Sequence, residues 1–151
     1  MSVLVDTNIL VYAALQEVPE HGRARAWLTD VLSDDNSTIA LCWPILYSLA
    51  RLLSSRAVMG DAALSVPNAW SVAEAYRTQP GVRLVSAGPR HPALVSTLAR
   101  TPGLISRDVP DFYLAALALE NGLAVATHDR GFARFSMLRW IDPVTGESSP
   151  V

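Results

Sequence analysis

Residues 2–6 have the sequence SVLVD and residues 123–129 have the sequence LAVATHD, so two short apolar runs each lead to an aspartate. A strand inside a parallel sheet has such an apolar run, because helices cover both of its faces. Ligand sites in open α/β sheets lie beyond the carboxyl ends of the strands. The sequence therefore predicts that Asp6 and Asp129 approach each other at one edge of a sheet in which their strands are neighbours.

Helical patterns separate the predicted strands along most of the chain. This alternation is typical of βαβ units and predicts an α/β fold of three layers, with a mainly parallel sheet between helices. We expect one domain over residues 1–142 and a mobile, polar tail over residues 143–151. The predicted strands cover residues 2–5, 38–42, 82–85, 123–127 and 138–141, and the predicted helices cover residues 9–16, 20–33, 44–57, 67–78, 90–101 and 110–121.

The composition excludes several classes of protein. Half of the 151 residues are hydrophobic, which is enough for a substantial core. No apolar stretch approaches the ~20 residues that span a membrane, and the N-terminus lacks the basic segment of a signal peptide. The single cysteine, Cys42, forms no internal disulfide, which fits a reducing compartment. We therefore expect a cytoplasmic protein without membrane contact.

All twelve basic residues are arginine. The net charge of −2 gives no overall basic surface for nucleic acid, but guanidinium groups bind phosphate locally. Arg130 and Arg134, close to Asp129, are the candidates for contacts with phosphate, and structural ion pairs are the alternative role for both. The absence of lysine excludes a Walker-type P-loop. It also disfavours receiver domains and haloacid dehalogenases, which pair an aspartate after the first strand with a lysine.

A third carboxylate, Asp111, follows Pro110 in the first turn of the helix that leads back to the second apolar run. Two unit charges ~5 Å apart repel by about 3 kcal/mol at an effective dielectric constant of ~20, so the predicted pair needs a proton, an arginine or a metal ion. Oxygen ligands favour Mg²⁺ or Mn²⁺ over zinc, and a water on such an ion is a candidate nucleophile. A helix-terminus acid stabilised by the helix dipole is the alternative role for Asp111.

The ordered set of motifs resembles the PIN-domain nucleases. It comprises DTN at residues 6–8, PD at residues 110–111 before a helix rich in Ala and Leu, and THDRGF at residues 127–132. The most similar branch is the VapC-type toxins of bacterial toxin–antitoxin pairs, which FARF at residues 132–135 and LRW at residues 138–140 also resemble. The resemblance covers almost the whole chain. It implies a PIN-like fold and metal-dependent endonucleolytic cleavage of RNA.

The same resemblance implies roles for individual residues. Asp6, Asp111 and Asp129 would hold Mg²⁺ or Mn²⁺, while Asn8 and Thr127 would orient ligands or water around them. An RNA substrate, a cognate antitoxin protein and a homodimer are the implied partners. The helix predicted at residues 44–57 is apolar on more than one face, so it is a candidate interface.

One departure from the family pattern removes a charge. The family usually has an acidic residue, most often Glu, early in the helix after the second strand, and the corresponding residue here is Ser48. A hydroxyl group can orient a water but brings no charge, so we expect weaker metal binding. Asp108 is the nearest further candidate ligand, with a loop or helix-cap role as its alternative, and Gly131 lies where many relatives carry another acid. The alternative function is therefore a PIN-like module that binds RNA or protein and cleaves weakly or not at all.

Overall fold

Five parallel strands form a single sheet in the computed structural model, which describes residues 1–150. This sheet confirms the predicted α/β class, and each strand lies where the sequence predicts one. The strand predicted at residues 138–141 is the shortest, and only two of its four predicted residues form a strand. The strands are β1 (Ser2–Val5), β2 (Thr38–Leu41), β3 (Val82–Leu84), β4 (Ala124–Ala126) and β5 (Trp140–Ile141).

Seven α-helices accompany these strands between residues 1 and 150. Prolines lie in the first turn of several of them, where the missing N–H group has no intrahelical acceptor to lose. The helix predicted over residues 44–57 ends at Leu53, where the Ser54 hydroxyl donates to the Ala50 carbonyl, and a separate short helix follows. The helices are α1 (Thr7–Ala14), α2 (His21–Ser33), α3 (Trp43–Leu53), α4 (Arg56–Met59), α5 (Val66–Arg77), α6 (His91–Leu98) and α7 (Val109–Glu120).

The strand order is β3-β2-β1-β4-β5, so the direction of winding reverses between β1 and β4. Since crossovers between parallel strands are right-handed, α1 to α5 cover one face of the sheet and α6 and α7 cover the other. Contacts of α2 with β2, of α5 with β3, and of α7 with β1 and β4 agree with these three layers. A reversal of this kind leaves a crevice at the carboxyl ends of the two strands, which is where such sheets bind ligands.

The pairing of β1 with β4 fixes which residues emerge at that crevice. Val5 pairs with Ala126, so Asp6 and Thr127 leave the sheet side by side, and the Asp6 amide donates to the Ala126 carbonyl at 2.9 Å. The three apolar residues of β1, which directly precede Asp6, are fully buried. The continuous apolar run thus reflects a strand covered on both faces.

Most of the apolar side chains of α3 belong to the hydrophobic core. Ile45, Leu46 and Leu49 are at most 1% exposed, so they contribute no surface for a partner. The exposed apolar surface of this helix comes instead from Trp43 and Tyr47, which are 40% and 62% exposed. An interface on α3 therefore depends on these aromatic side chains.

The segment after β5 folds back along that strand. Ser148 forms an antiparallel bridge with Ile141, and the Ser149 amide donates to the Trp140 carbonyl at 2.9 Å. The mobility expected for residues 143–151 stays a prediction, and Val151 lies outside the described residues. Across residues 1–150, no helix is long and apolar enough to cross a membrane.

We predict that Val125→Ala in β4 lowers the free energy of unfolding by about 2 kcal/mol, because it removes two buried methyl groups and leaves a small cavity. Val66→Ala makes the same chemical change at a residue that is 68% exposed, and it should leave stability nearly unchanged. Chemical denaturation of both variants measures the difference. Equal destabilisation would contradict the assignment of β4 to the centre of the core.

Candidate functional site

Asp6 ends β1 and caps α1. Its Oδ1 accepts from the Thr7 amide at 2.7 Å, and its Oδ2 accepts from the Thr127 hydroxyl at 2.7 Å. Burial raises the pKa of Asp6, the two hydrogen bonds oppose that shift, and the charge of Asp129 adds to it. The carboxylate is therefore held in one orientation in a place where its charge is costly.

Thr127 and Asn8 connect the ends of the two central strands. The Thr127 hydroxyl, in a residue that is 1% exposed, also accepts from Asn8 Nδ2 at 3.3 Å and from the Asp129 amide at 3.0 Å. Asn8 Oδ1 in turn accepts from the His128 amide at 3.3 Å. The two residues expected to orient the site thus join Asp6 to the segment that carries Asp129.

Asp129 precedes a 3₁₀ helix, Arg130–Arg134, and caps it. Its Oδ1 accepts from the Gly131 amide at 2.7 Å. The neighbouring His128 has a separate partner, because its Nδ1 lies 2.8 Å from Asp142 Oδ2. Of these two adjacent residues, Asp129 is the one that lines the cleft described next.

A cleft of about 600 Å³ opens between the start of α7 and this 3₁₀ helix. A smaller pocket adjoins it through Asp111, and Asp6 and Ser48 line that pocket. We call the two together the acidic cleft. The larger part is lined by Arg107, Asp108, Asp111, Asp129, Arg130, Gly131 and Arg134.

Asp111 lies in the first turn of α7 and lines both parts of the acidic cleft. Burial raises its pKa to about 6, and the charges of Asp129 and Asp6 contribute to that shift. The three aspartates predicted from the sequence are therefore brought close enough to influence one another's ionisation.

Ser48 lies one turn into α3 and faces the acidic cleft beside Asp6 and Asp111. The residue that the family resemblance leads one to expect as an acid thus lies beside two of the carboxylates, and here it supplies only a hydroxyl group.

Asp108 and Arg134 bind each other inside the cleft. Two hydrogen bonds of 2.7 and 3.2 Å join the guanidinium to both carboxylate oxygens, and the Ile105 amide donates to the same carboxylate at 2.8 Å. The Arg134 hydrogen bond lowers the pKa of Asp108, which is 5% exposed. Because its carboxylate is already paired with a guanidinium, Asp108 is the least available of the four candidate ligands.

The arginines that line the cleft differ in how exposed they are and in how closely other residues bind them. The Arg130 side chain is 80% exposed and lies 3.8 Å from Glu147, whereas Arg134 is engaged by Asp108. Arg107, which is exposed and lines the same cleft, was missed by the sequence analysis. It lies in a 3₁₀ helix, Ser106–Asp108, between the helices predicted at residues 90–101 and 110–121. The only sequence signal was its position four residues before Asp111.

The donor set of the cleft agrees in chemical type with a hard divalent cation, because Asp6, Asp111 and Asp129 offer carboxylate oxygens and repel one another. Among residues 1–150, no three or more His, Cys, Asp or Glu side chains are grouped closely enough to hold a metal ion. The carboxylates are thus close enough for their charges to interact, but their oxygens do not converge on one point.

Sequence comparisons agree with this architecture. A family model described as PIN domain matches residues 3–137. Ribonuclease VapC33 of Mycobacterium tuberculosis is 34% identical over 142 residues, which cover 94% of this chain and 98% of that protein. Ribonuclease VapC43 of the same species is 34% identical over 144 residues, which cover 95% of this chain and 97% of that protein.

Structural comparisons give the same fold. VapBC-1 from nontypeable Haemophilus influenzae matches with a TM-score of 0.69 at 16% identity, over 95% of this chain and 98% of that chain. VapC20 of Mycobacterium tuberculosis, a toxin that cleaves the sarcin–ricin loop, matches with a TM-score of 0.63 at 20% identity, over 87% of this chain and 92% of that chain. At these identities the likeness shows the fold alone.

We predict that Asp111→Asn raises the stability of the metal-free protein at pH 7 by about 1 kcal/mol, a value discounted for the solvent screening of a half-buried group. The folded pKa of Asp111, about 6, lies above the ordinary value of 3.8, so ionisation favours the unfolded state. The gain should be absent below pH 3.8 and complete above pH 6.

Chemical denaturation as a function of pH measures this difference. Asp61→Asn is the control, because Asp61 is fully exposed and its substitution should leave stability unchanged at every pH. A loss of stability in Asp111→Asn at pH 7 would contradict repulsion among the three carboxylates.

Proposed function

The chain belongs to the PIN-domain family, and from this premise we propose that it is a metal-dependent endoribonuclease, the toxin of a toxin–antitoxin pair. Its relatives named as ribonucleases match it over nearly their full length. The observation that carries the proposal is the mutual influence of Asp6, Asp111 and Asp129 at the reversal of the strand order. We propose a cytoplasmic location, where RNA is available and a free cysteine is stable.

The three aspartates would hold Mg²⁺ or Mn²⁺, with Asn8 and Thr127 keeping Asp6 and the Asp129 segment in place. The bound cation would acidify a water and neutralise charge that develops on the phosphate. Without a cation, these carboxylates would repel the phosphates of RNA.

Binding of the substrate is assigned to exposed guanidinium groups at the mouth of the cleft. Arg107 and Arg130 line the cleft near Asp111 and Asp129, and each can bind a phosphate on either side of the scissile bond. Arg134, the other phosphate candidate from the sequence, already binds Asp108. Ser48, which lines the same pocket as Asp6 and Asp111, would orient a water rather than bind the cation.

We propose two protein partners. An antitoxin is supported by the structural likeness to VapBC assemblies, and a basic side chain from it could occupy the acidic cleft in place of the cation. A homodimer is supported by the aromatic rings of α3 and α5, where the exposed Trp43 and Tyr47 stack against the half-buried Trp70 with centroids 6.5 and 5.4 Å away. Buried aromatic clusters are frequent anchors of interfaces.

A second candidate function is a PIN-like module that binds RNA or protein without efficient cleavage. It is favoured by the uncharged Ser48 in the acidic cleft and by the separation of the carboxylates within residues 1–150. Both features weaken the attraction for a divalent cation.

We predict that the purified protein cleaves structured RNA when Mn²⁺ is added, and that Asp6→Asn lowers the rate by at least about a hundredfold, because a cation ligand is lost. Asparagine retains the helix cap of α1, so the variant should stay folded in thermal melts. Asp35→Asn, a change in the exposed loop between α2 and β2, is the control. Equal cleavage by the wild type and the Asp6→Asn protein would disprove the assignment.

We predict that Ser48→Glu tightens Mn²⁺ binding by about tenfold, because it adds a charge that faces Asp6 and Asp111. Ser48→Gln is the matched control, with the same size and no charge. Calorimetric titration with Mn²⁺ compares the three proteins. If the wild type binds no Mn²⁺ at millimolar concentration and Ser48→Glu does, the binding module is the better description of the natural protein.

A further inference from the structure

Each of the three nitrogens of the Arg134 guanidinium donates to a protein acceptor. Nη2 lies 2.7 Å from Asp108 Oδ1, Nη1 lies 3.2 Å from Asp108 Oδ2, and Nε donates to the Gly131 carbonyl at 3.0 Å. Two parallel hydrogen bonds between a guanidinium and a carboxylate fix both position and orientation. Three of the five N–H groups of Arg134 therefore already have protein acceptors, and these bonds hold the side chain in place.

The two partners belong to segments that each carry an acid of the proposed site. Asp108 immediately precedes α7, which bears Asp111 in its first turn. Arg134 is the last residue of the 3₁₀ helix that Asp129 caps. The ion pair thus joins the start of α7, which bears Asp111, to the 3₁₀ helix that Asp129 caps, across the larger part of the acidic cleft.

Gly131 extends the connection to Asp129 itself. Its amide donates to Asp129 Oδ1 at 2.7 Å, and its carbonyl accepts from Arg134 Nε. A Cβ atom on this residue would lie 3.0 Å from Asp129 Oδ1 and 3.1 Å from Arg134 Nη2, closer than ordinary contact. The absence of a side chain at residue 131 therefore lets the aspartate and the arginine pack against the same peptide.

We propose that the ion pair Asp108–Arg134 is a positioning clamp, which sets the separation of Asp111 and Asp129 and so controls cation binding and cleavage. The inference rests on the proposed ribonuclease function. It assigns Asp108 and Arg134 to positioning rather than to the cation or the substrate. Without this ion pair, the start of α7 is no longer joined to the 3₁₀ helix. The repulsion between Asp111 and Asp129 then increases the distance between these two residues.

The test compares Asp108→Asn, Arg134→Gln and the double variant for kcat and KM on an RNA substrate with Mn²⁺, and for Mn²⁺ affinity by calorimetry. The clamp predicts that each single change lowers kcat and Mn²⁺ affinity by about 10- to 100-fold with little change in KM. The double variant should be no worse than the poorer single variant, because one interaction is lost in all three.

Arg134→Lys separates the clamp from phosphate binding and also perturbs the fold least. Lysine keeps the positive charge but loses the planar fork, so the clamp predicts a loss of kcat close to that of Arg134→Gln. Phosphate binding by Arg134 predicts that lysine largely restores KM, and that Asp108→Asn leaves kcat unchanged. Either of these results would overturn the proposal, and thermal melts identify any variant that is unfolded.

Failure of the ribonuclease assignment gives a different pattern. If the wild type and Asp6→Asn cleave equally, the function is wrong, and the Mn²⁺ titrations alone then decide the clamp. Unchanged Mn²⁺ affinity in both Asp108→Asn and Arg134→Lys overturns the clamp whether or not RNA is cleaved. A wild type that binds no Mn²⁺ overturns it as well.

Discussion

The parallel pairing of β1 with β4 is the constraint on which the candidate site depends. With Val5 opposite Ala126, Asp6 and Thr127 must leave the sheet together, and the Thr127 hydroxyl then reaches Asp6, Asn8 and the Asp129 amide. A slip of one residue would turn the buried side chains of β1 to the opposite faces. The apolar packing that stabilises the sheet therefore also determines where the two acids lie.

Charge is distributed unevenly within the cleft. Arg134 neutralises Asp108, the acid closest to the start of α7, whereas Asp111 has a pKa of about 6 because burial and the other aspartates dominate its surroundings. The cleft thus contains one carboxylate that is paired with an arginine and three that are not. A divalent cation or a basic side chain from a partner would relieve the same repulsion, which explains how one site could serve both activity and inhibition.

The sequence predicted the parts of this arrangement that follow from strand pattern and motif order. Asp6 and Asp129 could be placed because each ends an apolar run, and Asp111 because its helix leads back to the second run. The Asp108–Arg134 pair could not be predicted, since a contact between residues 26 positions apart leaves no periodic signal. For α3, the sequence could not separate apolar residues that fill the core from those that remain exposed, because both kinds lie on one short helix.

Ser48 and Gly131, where the family resemblance leads one to expect acids, both affect the charge repulsion within the cleft. An acid at residue 48 would face Asp6 and Asp111 and raise their pKa values further, and a side chain at residue 131 would crowd Asp129 and Arg134. Ser48 and Gly131 therefore reduce self-repulsion in the metal-free cleft and keep the clamp closely packed. The same choice reduces the attraction for a cation, because fewer charges converge on it. A site of this composition depends on the positions of its three remaining carboxylates more than a site with four acids would, which gives the Asp108–Arg134 clamp its proposed importance.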